Sequence, residues 1–426
     1  METQTKPQKR AYAFLIFATF FLYIILTGAK NLYVAEKTTL QQLGTFGSFT
    51  DLAATMEYYF YTYAAMQIFL AFFMTRMNVK WFLAFTLGFS AIITILMAFT
   101  NTIISHWVLY TLNGAMQAGV WGCSIMLLGK YLPRKELSVG NALMTSGPAV
   151  AGAVSYGFAA AFGENWRLPF IVLGVLLLFA VALHFVSVSI VQKFPRSTTH
   201  VVHADGTEED VFDENDNDFI HLDTSKRKTL FYVISVVMGL AVTGLFFAVN
   251  NTLDIFLKQI GGFNNTQAKW LTVLAPIAII IGPIFCVKAC DKHVNFLKVG
   301  AVFFALSAVF AVLLVFFFDT NVFLSLALLL CFMILTNGGR SISLSIAALK
   351  LRDKIDVGLC SALTNAAASI ASGVIPKLFT MLIDNPALSA SQNWANAFTV
   401  VAVWNVAVVV AILALIFLIK RINTKK

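Results

Sequence analysis

The sequence predicts an all-α integral membrane protein with twelve transmembrane helices in two six-helix halves. Apolar residues make up 59% of the 426 residues and charged residues only 12%, whereas roughly a quarter of a soluble domain is charged. Apolar stretches of about 17 to 25 residues recur along the chain, and a helix of that length crosses roughly 30 Å of hydrocarbon. One long polar segment separates the sixth stretch from the seventh. These observations exclude a soluble globular domain.

Twelve spans follow from the apolar stretches taken in chain order. The first half, residues 1–191, contains spans 11–34, 52–74, 80–99, 105–128, 139–162 and 168–190. The second half, residues 230–426, contains spans 230–257, 268–287, 297–318, 322–348, 356–383 and 393–419. The linker between them, residues 192–229, is rich in acidic residues and poor in apolar ones, which predicts a solvated, disordered tether.

The basic residues predict the orientation of the chain. Of the 30 lysines and arginines, 23 fall in segments on the side of both termini and four in segments on the other side; Lys30, Arg340 and Lys377 lie within spans. This bias predicts that both termini and the linker are cytoplasmic. The net charge of +9 therefore reflects orientation and not binding to nucleic acid. We expect a multi-pass protein of the plasma (cell inner) membrane whose first span is its own insertion signal, since no cleavage site precedes it.

Short motifs repeat between the two halves. Weak symmetry of this kind is typical of transporters that are built from parallel repeats. The matching motifs are Asn165-Trp166 with Asn393-Trp394, Asn113-Gly114 with Asn337-Gly338, and Val139-Gly140 with Val357-Gly358.

The sequence contains no motif for catalysis, a cofactor or a metal ion. Of the five cysteines, four fall inside apolar stretches and the fifth just beyond one, so we expect free thiols that pack in the interior. A phosphate-binding loop for nucleotides is absent, so we expect no transport driven by bound ATP. The interpretation is a protein that is not an enzyme and needs no cofactor.

Two spans carry an ionisable residue on a polar helix face. Thr27, Lys30 and Asn31 share a face of the first span, and Asn337 and Arg340 share a face of the tenth. Ionisable residues at membrane depth are costly and usually face a cavity or a partner helix, and Arg340 lies close to mid-membrane. The fourth and eleventh spans carry corresponding polar stripes. The binding residues predicted from these stripes are Asn113, Gln117 and Asn365.

Several other charged residues have more than one interpretation. Lys30 could extend to the headgroups, although its polar neighbours favour a site, and we expect Lys377 to extend in this way. Glu57 in the second span is either a proton-coupling group or the ion-pair partner of Lys30. Asp254 and Lys258 are one turn apart, which favours a local pair on one helix.

The predicted site has an excess of positive charge. Lys30 and Arg340 contribute two positive charges, and Glu57 removes at most one. Because arginine matches the geometry of carboxylate and phosphate groups, the sequence predicts a site for a small anionic solute. The other expected partner is membrane lipid, and we expect a monomer.

Two short motifs resemble a known family. Gly114, Gln117 and Trp121 are similar to the G-x-x-Q-x-x-x-W pattern of the organophosphate:phosphate antiporters of the major facilitator superfamily, and Lys30-Asn31 resembles their first-span K-N pair. At the level of architecture the resemblance covers essentially the whole chain. It implies the major facilitator fold and exchange of an organophosphate, such as a sugar phosphate or glycerol phosphate, for phosphate by alternating access.

The chain also departs from this family. Ala29 stands where the family has its phosphate-binding arginine, the seventh span has no arginine, and the fifth has no histidine. Arg340 could take the place of the missing arginine from another helix. Two alternatives stay open: a proton-coupled carboxylate symporter that uses Glu57, and a membrane sensor of the same fold that does not transport.

Overall fold

The structure, a computed structural model, describes residues 5–73, 76–194, 199–202, 208–211, 226–292, 296–342 and 357–424. These residues form helices joined by short turns and loops, with one small hairpin in the linker, so the predicted all-α class is confirmed. Nine helical stretches among them are long and apolar enough to cross a membrane.

Eight helices make up the first half of the chain. The predicted fourth span is two helices, because the chain turns at Ala118 and Gly119. A Cβ atom at Gly119 would lie 2.8 Å from a ring carbon of Phe82, so this turn packs closely against the third span. The helices are α1 (Lys6–Ala35), α2 (Lys37–Gln42), α3 (Phe49–Phe73), α4 (Val79–Met97), α5 (Ile103–Gln117), α6 (Val120–Tyr131), α7 (Arg134–Ala161) and α8 (Arg167–Val191).

The linker contains a two-stranded antiparallel hairpin. Strand β1 (Thr199–Val202) pairs with β2 (Glu208–Val211), with Thr199 opposite Val211 and Val202 opposite Glu208. The expectation of a linker without secondary structure is therefore wrong for these two strands, because their valines and threonine favour extended backbone. The other linker residues between 195 and 225 lie outside the described part of the chain.

The described residues of the second half form nine helices. The predicted eighth span is three short helices, and the first of them begins at a capping box in which Asn264 and Gln267 each bond the other's backbone. The end of the predicted tenth span, beyond residue 342, lies outside the described residues. The helices are α9 (Lys226–Asn250), α10 (Leu253–Gln259), α11 (Asn265–Thr272), α12 (Leu274–Ile279), α13 (Ile281–Lys292), α14 (Phe296–Phe317), α15 (Val322–Ser341), α16 (Val357–Ile383) and α17 (Ala390–Thr424).

Buried apolar side chains pack mainly within each half. One cluster of the first half surrounds Leu128, a second surrounds Tyr33 and Phe170, and the largest cluster of the second half surrounds Phe332 and Trp394. The surfaces where the halves meet are thereby left to other side chains. Four cysteines pack in this interior as free thiols, as predicted: Cys123, Cys286, Cys290 and Cys331.

Small residues bring the two halves together along two lines of contact. A Cβ atom at Gly373 of α16 would lie 2.8 Å from the Glu57 Cα of α3, and one at Gly152 of α7 would lie 3.0 Å from Pro276 of α12. We call the side of the bundle where α1 begins and α17 ends the terminal face, and the other side the opposite face. The candidate site lies between these lines of contact.

Candidate functional site

Lys30 and Arg340 come from different halves and meet inside the bundle. The Lys30 Nζ atom lies 5.7 Å from the centroid of the Phe60 ring, and the Arg340 Cζ atom lies 4.9 Å and 5.4 Å from the centroids of Phe246 and Phe247. The Phe60 and Phe247 centroids are 6.3 Å apart, so these rings join the halves between the two cations. The cations are close enough to repel each other.

The Arg340 guanidinium is held in place by the neighbouring turn of its helix. Its Nε donates to Asn337 Oδ1 at 3.1 Å, and Asn337 Nδ2 donates to the Ile279 carbonyl oxygen at 2.9 Å. A guanidinium has five N–H donors, and this bond uses only the one on Nε. The four donors on the two terminal nitrogens form a planar fork of the kind that binds carboxylate or phosphate. Asn337 therefore positions Arg340, which holds the charge.

The remaining polar residues of the first span lie beside Lys30. Thr27 is buried next to the Tyr23 hydroxyl, and Asn31 is partly exposed. The backbone of this stretch is tied down, because the Tyr110 hydroxyl donates to the Lys30 carbonyl oxygen. The helix thus carries Lys30 on a fixed backbone. Asn365 of the eleventh span is also partly exposed.

Asn113 and Gln117 of the fourth span form a network between helices. Gln117 Nε2 donates to Ser90 Oγ at 2.8 Å and to Asn113 Oδ1 at 3.0 Å, and the Tyr59 hydroxyl donates to Gln117 Oε1 at 2.8 Å. Both side chains are only 1% exposed. The structure places them between the second, third and fourth spans, and not with Lys30 and Arg340.

The other motif residues of the fourth span have separate contacts. A Cβ atom at Gly114 would lie 2.2 Å from the Tyr59 carbonyl oxygen, so only glycine allows the second and fourth spans to approach this closely. The Trp121 ring lies 5.4 Å from that of Tyr23, which is near Arg340. The motif therefore packs three helices together and places one aromatic ring at the site.

Glu57 does not pair with Lys30, so that alternative is wrong. Its Oε2 accepts from Lys377 Nζ at 2.6 Å, and its Oε1 accepts from the Tyr61 hydroxyl at 2.6 Å. Lys377, expected to reach the headgroups alone, is still 29% exposed but has this acidic partner. The reason is the close approach at Gly373, one turn before Lys377, which brings the eleventh span to the second. A coupling role for Glu57 stays a prediction.

A second group of charges lies at the opposite face. We call Glu36, Lys37, Asp254 and Lys269 the opposite-face cluster; each is at most 2% exposed. Lys269 Nζ lies 2.6 Å from Glu36 Oε2, and Lys37 Nζ donates to the Asn251 carbonyl oxygen at 3.1 Å. Asp254 lies within electrostatic range of both lysines, and the backbone N–H of Ile255 is a nearby hydrogen-bond donor to its carboxylate. Two acids and two bases thus balance across the halves.

The sequence interpretation missed this cluster. Lys37 lies just beyond the predicted first span and Lys269 at the very start of the predicted eighth, but both side chains are buried. Asp254 and Lys258 lie one turn apart on α10 and interact electrostatically, as expected of a local pair, but Asp254 is buried in the cluster while Lys258 stays partly exposed. The sequence signal that could have indicated this cluster is the presence of acidic and basic residues at the ends of the first, seventh and eighth spans.

Further polar contacts join the halves at the same face. Asn265 Nδ2 donates to Thr39 Oγ1 at 2.8 Å, and Asp384 accepts from the Thr50 backbone N–H at 3.4 Å. Partial burial raises the pKa of Asp384 above its ordinary value. With the charged cluster, these bonds hold the two halves closed at the opposite face. The structure is therefore one in which a central cationic site is shut off from that face.

A central site between two helical halves that are closed at one face is the arrangement of an alternating-access membrane transporter. Residues 12–376 match the Major Facilitator Superfamily, and since this is most of the chain, the protein belongs to that family. It is a multi-pass membrane transporter of small solutes. The predicted resemblance is confirmed at the level of the superfamily. No curated protein matches the chain significantly.

Solved structures show the same fold. A bacterial homologue of the human lysosomal transporter Spinster, in an inward-facing and occupied conformation, aligns with a TM-score of 0.70 and 13% identity over 96% of this chain and 97% of its own. The D-xylose-proton symporter aligns at 0.69 and 11% identity over 94% and 96%. The nucleoside transporter NupG aligns at 0.65 and 14% identity over 95% and 98%. At these identities the likeness concerns the fold alone.

Proposed function

We propose that this transporter moves a small organic anion across the plasma membrane by alternating access. The observation that carries the proposal is the meeting of Lys30 and Arg340, which belong to different halves and have no acidic partner among the described residues. Buried charges are normally paired, because an isolated charge in a poorly solvated place is costly. An anion between these cations supplies the missing partner.

The site also explains how binding is linked to movement. Lys30 and Arg340 repel each other when the site is empty, so an anion that bridges them favours a state in which the halves are close around it. The halves then separate at one face or the other by rocking about the site. By the bias of basic residues, the terminal face is the cytoplasmic one.

The finer proposal is that the anion is an organophosphate exchanged for phosphate. The fork of Arg340 and the neighbouring Lys30-Asn31 pair support it, since both suit a phosphate group. Gln117 and Asn113 contribute indirectly, because their network holds the second and fourth spans in place beside the site. Asn365, which is partly exposed on the eleventh span, is the further binding residue that we propose.

Counterflow in proteoliposomes tests the proposal. We expect vesicles preloaded with phosphate to take up a labelled organophosphate faster than empty vesicles, without a pH gradient. The Arg340→Ala variant, reconstituted to the same density, is the control that removes the site. Uptake that ignores internal phosphate and collapses with a protonophore would instead identify a proton-coupled symporter. Binding without any uptake would identify a sensor.

A further inference from the structure

Aromatic rings from both halves surround the two cations. Phe247, Tyr63, Tyr23 and Trp121 are partly exposed, while Phe60 is buried behind them. Phe60 links the set, with ring centroids 6.3 Å from Phe247 and 6.4 Å from Tyr63. We call these rings, together with Phe246, the aromatic wall. Phe60 of this wall lies beside Lys30, and Phe246 and Phe247 lie beside Arg340.

The polar side chains predicted around the site are largely committed to the protein itself. Asn337 bonds both Arg340 and the Ile279 carbonyl, and Asn113 and Gln117 bond each other and Ser90. A ligand with many hydroxyl groups would lose hydrogen bonds to water and meet aromatic faces in return, which is unfavourable. The site thus combines two cations with aromatic faces.

Arg340 has a geometry that suits a ring beside an anion. Phe246 and Phe247 lie near its guanidinium, so the planar edge is left to bind an anionic group while an aromatic ligand can pack on the wall next to it. The Lys30 ammonium also lies over an aromatic ring, that of Phe60.

We infer that the transported solute is an aromatic organic anion, with its carboxylate or phosphate between Lys30 and Arg340 and its ring against the aromatic wall. This inference rests on the proposed anion site and narrows the proposed substrate from small organic anions in general to those that carry an aromatic ring. A phosphorylated sugar or glycerol phosphate is then a poor ligand, although its phosphate group is equally charged.

Matched pairs of ligands test the inference on the purified full-length protein. Phenyl phosphate is compared with glycerol phosphate, and benzoate with lactate, by titration calorimetry. We expect the aromatic member of at least one pair to bind about tenfold more tightly, because packing of a ring adds to the shared charge interaction. The pair with the greater difference identifies the anionic group. Equal affinities within both pairs, or tighter binding of glycerol phosphate, would overturn the inference.

A variant pair separates the role of the ring from that of the charge. Phe247→Leu keeps an apolar side chain but removes a ring of the wall, and we expect several-fold weaker binding of the aromatic ligand with no change for its partner. Phe85→Leu, at a phenylalanine that is 64% exposed on the outside of the bundle, is the matched control. If Phe247→Leu kept the full preference for the aromatic ligand over its non-aromatic partner, the inference would also be overturned. Failure of every anion to bind, with a normal melting temperature, would instead refute the anion site on which it rests.

Discussion

Among the described residues, the central site contains two cations from different halves and no acid, whereas the opposite-face cluster contains two acids and two bases. Lys30 and Arg340 lie on aromatic rings, and Lys269 lies 2.6 Å from a carboxylate oxygen of Glu36. Both groups of charge lie between the halves. They differ in whether the protein itself supplies the opposite charge.

This difference assigns separate tasks to the two regions. A balanced cluster holds the halves together as long as water is excluded from it, because its two acids and two bases attract each other across the halves. An unbalanced pair pushes the halves apart until a ligand supplies the missing charge. In the proposed mechanism, the opposite-face cluster acts as a gate, and the central pair binds the solute.

The largest expected effect comes from breaking the balanced cluster. Lys269→Met leaves the Glu36 carboxylate buried without its partner, which should cost the closed arrangement about 3 to 5 kcal/mol. Spin labels at Thr45 and Ala387, which are exposed at the opposite face in different halves, should report a longer distance in a cysteine-free background. Distances identical to those of the parent protein would remove the cluster from the gate.

Two further variants sharpen this result. Lys258→Met removes a partly exposed lysine of the same region and should leave the distance unchanged. The double variant Glu36→Gln with Lys269→Met removes both charges, so closure should return to a large extent. A double variant that stays as open as Lys269→Met would show that the pair does not act as a unit.

A smaller effect is expected at the central pair, where a substitution should weaken binding of the anion and should not open the opposite face. Arg340→Ala should weaken binding of the anion by at least about tenfold, or on the order of 2 to 4 kcal/mol, because it removes a charge-assisted contact. Lys30→Ala should fall between Arg340→Ala and the parent protein. Calorimetry measures the affinity. Wild-type affinity in Arg340→Ala, at normal membrane levels, would remove this residue from the site.

Thermal unfolding of the same variants tests the comparison directly. Removing Lys30 or Arg340 relieves a repulsion, so the melting temperature of the ligand-free protein should stay the same or rise. Lys269→Met should lower it. A fall of equal size in all three variants would mean that the two regions do not differ in charge balance.

The smallest effect is expected at the Glu57–Lys377 pair. Lys377 is 29% exposed, so solvent screens its interaction, and Lys377→Ala should cost only about 0 to 1 kcal/mol of stability. Anion affinity should be nearly intact, because this pair is separate from Lys30 and Arg340. A calorimetric loss of affinity as large as that of Arg340→Ala would place Lys377 in the site.

The sequence by itself determined the membrane class, the helical fold and most of the helix positions. The physical reason is that crossing a bilayer requires long apolar helices, and such helices can be recognised from the local amino-acid composition. It also identified Lys30 and Arg340 as candidates, since a charged residue within an apolar span can be recognised without knowledge of its partners.

Only the tertiary structure decided which charges are partners. Glu57 joins Lys377 and not Lys30, because the close approach at Gly373 sets helices from different halves side by side. Glu36 and Lys269 are more than 200 residues apart in sequence, and no local sequence pattern predicts that they form an ion pair. Asn113 and Gln117 lie on a helix face whose polar pattern is typical of a cavity lining. In the structure this face packs against neighbouring helices. Composition fixes how a chain enters the membrane, whereas the fit of helix against helix decides which polar groups meet.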